Sequence, residues 1–107
     1  MGLTLGNVHS MQNFSFGESK TWAETATITT AEQTVTVPGL AVGDMVYVSK
    51  PTAQAGLGVC GVRVSAKDTL AITFNNPTAS GITATANEVW LGTVFKSQQP
   101  VQSNAVI

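Results

Sequence analysis

The stretch TLAITF, residues 69–74, alternates strictly between large apolar side chains and small or polar ones. Leu70, Ile72 and Phe74 fall on one side of this alternation, and threonine or alanine fills the positions between them. A period of two is typical of a β-strand with one buried face, because successive side chains of a strand point to opposite sides. The stretch therefore predicts a strand whose three large side chains enter the core.

The same period continues on both sides of residues 69–74, in short segments separated by turn signals. Pro38-Gly39 and the run NNPTASG (75–81) are two such signals, since proline cannot donate to a ladder and glycine permits tight turns. With no helical stretch, six or seven short strands predict an all-β fold, an antiparallel β-sandwich or barrel with a jelly-roll-like topology. The other predicted strands lie in TWAETATITT (21–30), EQTVTV (32–37), MVYVSK (45–50), LGVCGVRV (57–64), ITATAN (82–87) and EVWLGTVFK (88–96).

Two of these segments, MVYVSK and EVWLGTVFK, are apolar on both faces. Such a pattern predicts a strand that is central in its sheet or covered twice. A chain of 107 residues has little material to cover both faces itself. The pattern therefore favours subunit packing as the second cover.

The two ends of the chain differ from the middle. Residues 1–20 have no clean period and are interrupted by glycines, which predicts an extended N-terminal arm lying either on another protein or on its own domain. Residues 21–96 form the predicted β domain. Residues 97–107 form a polar C-terminal tail that contains Pro100.

Charge and composition exclude several classes of partner. Charged residues make up 10% of the chain, against roughly 25% in an average soluble domain. The net charge is −1 and the five basic residues are scattered, which argues against nucleic acid. No apolar run approaches the roughly 20 residues of a membrane span, and the start does not resemble a secretory signal, so we expect synthesis in a cytoplasm and no membrane partner.

The sequence offers no set of residues suited to catalysis. A zinc site needs about four ligands, and this chain has one histidine, His9, and one cysteine, Cys60. Cys60 stands among valines and is predicted to be a small buried hydrophobe. Asp44 and Asp68 are predicted to be turn residues that bond nearby backbone amides. We therefore expect no enzyme activity, no cofactor and no metal.

Three aromatic residues, Trp22, Tyr47 and Trp90, allow two interpretations. Each has apolar neighbours in sequence, which favours a place in the core or at a subunit interface. Exposed together, they would instead form a platform on which sugars stack. The second interpretation requires at least one of them to be exposed to solvent.

The middle of the chain resembles β-rich virion proteins of tailed bacteriophages. The resemblance is carried by VPGLAVGDMVYVSKP (37–51), AGLGVCGVRVSAKDTLAITFNNPTASGIT (55–83) and EVWLGTVF (88–95), and covers roughly residues 35–95. Similar modules occur in head decoration (cement) proteins and in head-fibre or tail-fibre domains. The resemblance implies a β-sandwich, usually a homotrimer on the capsid surface, with no catalytic residue and no cofactor.

The resemblance, the apolar N-terminal arm and the C-terminal tail together lead to a functional hypothesis. It is that the chain is a capsid decoration protein on the outer surface of the virion, binding the major capsid protein and copies of itself. The alternative is a fibre module for receptor or glycan adhesion. The candidate residues for contacts with capsid or subunit are apolar or aromatic: Leu3, Leu5, Met11, Phe14, Phe16, Trp22, Tyr47, Trp90, Val106 and Ile107.

Overall fold

A computed structural model of the chain describes residues 8–97, with side chains from residue 11 to residue 96. All regular structure in this part is β, and every strand pairing is antiparallel. None of the described residues form a helix long and apolar enough to cross a membrane. The strands are β1 (Val8–Phe16), β2 (Glu24–Thr25), β3 (Thr29–Thr36), β4 (Met45–Ser49), β5 (Gly58–Ala66), β6 (Thr69–Asn76), β7 (Ile82–Thr83) and β8 (Trp90–Ser97).

Two three-stranded sheets enclose one core, an arrangement consistent with a β-sandwich. The first sheet has the order β1-β8-β4 and the second the order β3-β6-β5, while β2 and β7 pair with each other. The buried cluster contains Trp90 and Val94 from the first sheet and Leu70 and Phe74 from the second. The prediction of an all-β antiparallel fold is confirmed.

The stretch 69–74 is the central strand of the second sheet. Leu70, Ile72 and Phe74 are fully buried, as predicted. Antiparallel register places Val35 and Val64 on either side of Leu70, so that the inner face of this sheet is apolar across all three strands. The residues that alternate in the sequence of 69–74 are therefore the ones that form the buried face of β6.

An aromatic cluster joins the two sheets. Phe74 packs edge-on against Trp22 and Trp90, with ring centroids 5.3 and 6.0 Å apart, and Phe16 lies 5.6 Å from Trp90. Burying an aromatic side chain removes about 150–250 Å² from water, or about 4–6 kcal/mol per ring. Both indole N–H groups are buried without an acceptor among the described residues, at about 1–3 kcal/mol each. The apolar gain from the rings is the larger of the two terms.

Two aspartates hold the turns: Asp44 bonds an amide of its own turn, as the sequence predicts, whereas Asp68 bonds an amide of a turn distant in sequence. The Asp68 carboxylate accepts a hydrogen bond from the backbone N–H of Gly39 at 2.8 Å, and the Asp44 carboxylate accepts one from Ala41 at 2.9 Å. Lys96 also donates to Asp44 at 2.5 Å. These contacts fasten the Pro38–Asp44 connection to β8 and to the β5–β6 turn.

Asn76 organises the NNPTASG turn from inside the protein. Its side chain is fully buried and its Nδ2 donates to the carbonyl oxygens of Thr25 and Ser80 at 3.0 and 2.8 Å. Its Oδ1 accepts from the backbone N–H and the hydroxyl of Thr78. A buried amide with all these partners is satisfied and ties residues 25, 78 and 80 together.

Three sequence-based predictions are corrected. β4 is an edge strand of its sheet, because only β8 pairs with it, so MVYVSK is neither central nor covered twice. Cys60 is exposed, because it is the extra residue of a β-bulge between Val59 and Gly61. The segment 21–30 is not one strand, since β2 has two residues and Ile28 adopts a positive φ before β3 begins.

The N-terminal segment belongs in part to the domain. Residues 8–16 pair with β8 along the first sheet, and Phe16 is buried in the core. The described part of the predicted arm therefore lies on its own domain, the second of the two alternatives. The predicted domain boundary at residue 21 is wrong for residues 8–16, because they are a strand of the domain. Residues 1–7 and 98–107 lie outside the described residues.

The first prediction tests the assigned core. Phe74→Ala should lower the free energy of unfolding by about 3–5 kcal/mol, because it removes a fully buried ring and leaves a cavity. Leu91→Ala, an equally apolar change at an exposed position, should stay within about 0.5 kcal/mol of the wild type. Urea unfolding measures both. A loss under about 1 kcal/mol for Phe74→Ala would mean that the inner face is misassigned.

The second prediction concerns backbone strain at Ile28. This β-branched residue has a φ of 49° and is 76% exposed. Its left-handed backbone conformation is therefore not offset by burial of its apolar side chain. The conformation costs an L-residue roughly 1–2 kcal/mol and suits asparagine better. Ile28→Asn should raise the free energy of unfolding by about 1 kcal/mol. Val42→Asn, at an exposed valine of negative φ, is the matched control and should change it by under about 0.5 kcal/mol.

Candidate protein-binding face

The outer side of the first sheet carries four of the eight large hydrophobic side chains that the described residues expose. Antiparallel register aligns its outward side chains in three rows across the strands in the order β1, β8, β4. We call this surface the uncharged face. Its rows are Met11–Phe95–Met45, Asn13–Thr93–Tyr47 and Ser15–Leu91–Ser49.

Large apolar side chains on this face are open to solvent. Met11, Met45, Tyr47 and Leu91 have exposed fractions of 64%, 65%, 68% and 62%. Phe95 is half-buried between the two methionines and meets the Tyr47 ring edge-on, with centroids 6.1 Å apart. Single exposed hydrophobes are common, whereas a contiguous apolar patch of a few hundred Å² on a monomer is often functional.

The inner side of the same sheet explains why these residues face outward. Phe14 and Phe16 point inward from β1, so the alternation sends Asn13 and Ser15 outward. On β8, Gly92 provides the space in which the Phe14 ring lies, and a Cβ there would collide with that ring. The core contacts of β1 and β8 thus fix which side chains remain on the outside.

The uncharged face differs in electrostatics from the outer side of the second sheet. None of its nine residues is ionisable at neutral pH, whereas Glu32 and Arg63 form an ion pair across β6 on the other sheet, with Nε to Oε2 at 2.8 Å. Hydrogen bonding from the Arg63 guanidinium holds the pKa of Glu32 below its ordinary value. Threonines occupy much of the remaining surface there, including Thr30, Thr34 and Thr36. On the outer side of the second sheet, charged and hydroxyl groups therefore take the place of the large apolar side chains that the uncharged face exposes.

A shallow depression of about 380 Å³ lies in the uncharged face beside Tyr47. Leu91 and Tyr47 contribute apolar walls, and Asn13, Ser49 and Thr93 contribute neutral polar groups. The Thr93 hydroxyl donates to the Asn13 side-chain oxygen at 2.8 Å, which orients both. The depression can accept an apolar side chain or a neutral hydroxylated group, and its lining contains no acid, base or thiol.

The described residues contain no group of three or more His, Cys, Asp or Glu side chains placed to hold a metal ion. Cys60 lies exposed on β5, in the second sheet and away from the uncharged face.

The predicted contact residues divide into three groups. Met11 and Tyr47 lie together on the uncharged face. Phe14 is half-buried on the inner side, and Phe16, Trp22 and Trp90 are buried in the core. The prediction of capsid or subunit contacts is corrected for these four residues, because their side chains are internal. The remaining candidates lie outside the described residues: Leu3, Leu5, Val106 and Ile107.

Three members of the face, Met45, Leu91 and Phe95, were not among the predicted contact residues. Their signal is present in the sequence, since MVYVSK and EVWLGTVFK are the two segments that are apolar on both faces. What the pattern alone does not give is which of the two sides enters the core. The pairing of β8 with β1 and β4 decides it.

Comparison with known proteins identifies no relative of this chain. No protein-family model matches the sequence, no curated protein matches it, and no solved structure matches the fold.

Proposed function

We propose that this protein is a capsid decoration protein, located on the outer surface of a virion and made in the cytoplasm of the host. The observation that carries the proposal is the uncharged face, on which Met11, Met45, Tyr47 and Leu91 are exposed together. The proposed partner of this face is the major capsid protein. The resemblance of residues 35–95 to phage virion proteins supports the same assignment.

The chemistry of the face suits a partner that is itself neutral and extended. Burying a Leu-sized side chain gains about 1.5–3 kcal/mol, and the face supplies four such exposed groups without any charge to desolvate. A protein that binds only the assembled lattice shifts the equilibrium against its disassembly by mass action. Because the contact is apolar and neutral polar, added salt should weaken it little.

The finer topology is also part of the proposal. A jelly roll is a wrapped antiparallel hairpin, in which the first strand pairs with the last and the pairs nest inward. The pairs β1–β8, β2–β7 and β3–β6 support this order, and β4 lies beside β5. The innermost strands depart from it, because β4 pairs with β8 and β5 with β6. An extended N-terminal arm before β1 stays a prediction from the sequence, and a homotrimer is what the resemblance alone implies.

Tyr47 supports the alternative function, a fibre module for glycan adhesion. Its ring is 68% exposed and stands beside the neutral polar groups of Asn13, Ser49 and Thr93, as sugar-stacking sites require. Trp22 and Trp90 are buried and give this alternative no support. Binding to immobilised glycans that is lost in Tyr47→Ala would favour adhesion over decoration.

The third prediction tests the proposed function. Leu91→Lys places a charge on β8, the central strand of the uncharged face, and should weaken binding to undecorated shells of the major capsid protein at least about tenfold, because that charge must be desolvated without a partner. Thr30→Lys, at an exposed position on the other sheet, is the matched control and should bind normally. Co-sedimentation with shells at low and high salt measures both effects.

Two results of that experiment would contradict the proposal. One is normal shell binding by Leu91→Lys in a protein whose circular dichroism matches the wild type. The other is complete release of the wild type by moderate salt, which would indicate an ionic contact.

A further inference from the structure

The four strand edges of the two sheets are not equally protected. An edge strand exposes unpaired N–H and C=O groups that invite another strand, and natural proteins shield such edges with bulges, charges, proline, short strands or a cover. In the described part of the chain these edges belong to β1 and β4 in the first sheet and to β3 and β5 in the second.

Three of the edges carry a recognisable protection. On β3, the Gln33 side chain forms two hydrogen bonds with the backbone of Ala23, both at 2.8 Å, and holds the segment before β2 nearby. β5 is interrupted by two register shifts, at Cys60 and at Ser65. β4 has five residues and packs beside β5.

β1 lacks these protections over most of its length. It is nine residues long, β8 is its paired neighbour among the described strands, and its register is regular from Ser10 to Phe16 after a shift near His9. The sequence SMQNFSF at 10–16 contains no charged residue, proline or glycine. About half of its backbone N–H and C=O groups point away from β8, because these groups alternate along a strand.

We propose that the edge of β1 that no described strand covers pairs with β1 of a second copy of this chain, antiparallel about a two-fold axis. Such an axis brings identical segments together, which is favourable only where like charges do not meet. With the axis near Asn13, the facing residues of 10–16 are all neutral. Pairing joins the two sheets into one six-stranded sheet with the order β4-β8-β1-β1-β8-β4.

The size of the uncharged face supports a second copy as the occupant. Three strands about 4.8 Å apart and an eight-residue β8 rising about 3.4 Å per residue give a face of roughly 400 Å². A specific interface needs about 800 Å² per partner. Two faces side by side reach that value, whereas one foreign strand on the same edge would widen the face by only about 4.8 Å and leave it short. This argument from area rests on the proposed function, while the argument from the free edge does not.

The two-fold pair differs in mass from the homotrimer that the resemblance implies. One chain is 11.1 kDa, so two chains give about 22 kDa and three about 33 kDa. Light scattering behind a sizing column should give the mass of two chains. Asn13→Lys, which sets two lysines against each other, should raise the dissociation constant of the pair at least about tenfold. Thr30→Lys and Leu91→Lys, both away from the β1 edge, should stay paired.

Amide hydrogen exchange gives a second readout that needs no variant. In the pair, the amides from Ser10 to Phe16 should all be protected, because both edges of β1 are bonded. In a dilute monomer, protection should alternate along β1.

Four outcomes would overturn the pairing. They are a monomeric wild type at all concentrations, a mass of three chains, an Asn13→Lys protein that stays paired, and a monomer whose β1 amides are uniformly protected. The last result would mean that residues 98–107 or 1–7 of the same chain cover the edge. If the wild type is a monomer and the Leu91→Lys substitution still abolishes shell binding, the pairing is rejected and the proposed function stays intact.

Discussion

The packing of Phe74 against Trp22 and Trp90 is the contact on which the rest of the structure depends. It joins the central strands of the two sheets, β6 and β8, through side chains that are almost wholly buried. Because β8 is held from its inner side, its alternate residues are forced outward. Leu91 and Phe95 therefore stand on the uncharged face as a consequence of how Trp90 and Val94 fill the core.

Energetics then decide what the exposed residues require. Four exposed apolar side chains offer about 6–12 kcal/mol on burial, at about 1.5–3 kcal/mol each. Association costs an estimated 4–15 kcal/mol in lost freedom. The face of one chain is close to break-even, so attachment to a shell gains from several faces acting together. A low charge content permits such packing, because few charges have to be desolvated.

Much of the fold follows from local pattern, and most of the rest comes from long-range pairing. The alternation in residues 69–74 predicts the buried face of β6, and Asp44 bonds within its own turn as its sequence indicates. The uncharged face was predictable only in part. Apolar residues on both faces of β4 and β8 indicate that one apolar side stays outside the core, but not which side. The bulge at Cys60, the edge position of β4 and the positive φ of Ile28 depend on partners far away in sequence. The alternation of apolar and polar residues therefore does not indicate any of these three features.

Footprinting by hydroxyl radicals tests most directly whether the uncharged face is a binding surface. Oxidation of Met11, Met45 and Tyr47 would be compared by mass spectrometry in the free protein and on undecorated shells, with exposed Ile28 as the internal reference. The account predicts that the three face residues become protected on shells while Ile28 stays reactive. Equal oxidation of the three residues in both states, with the protein demonstrably bound, would contradict it.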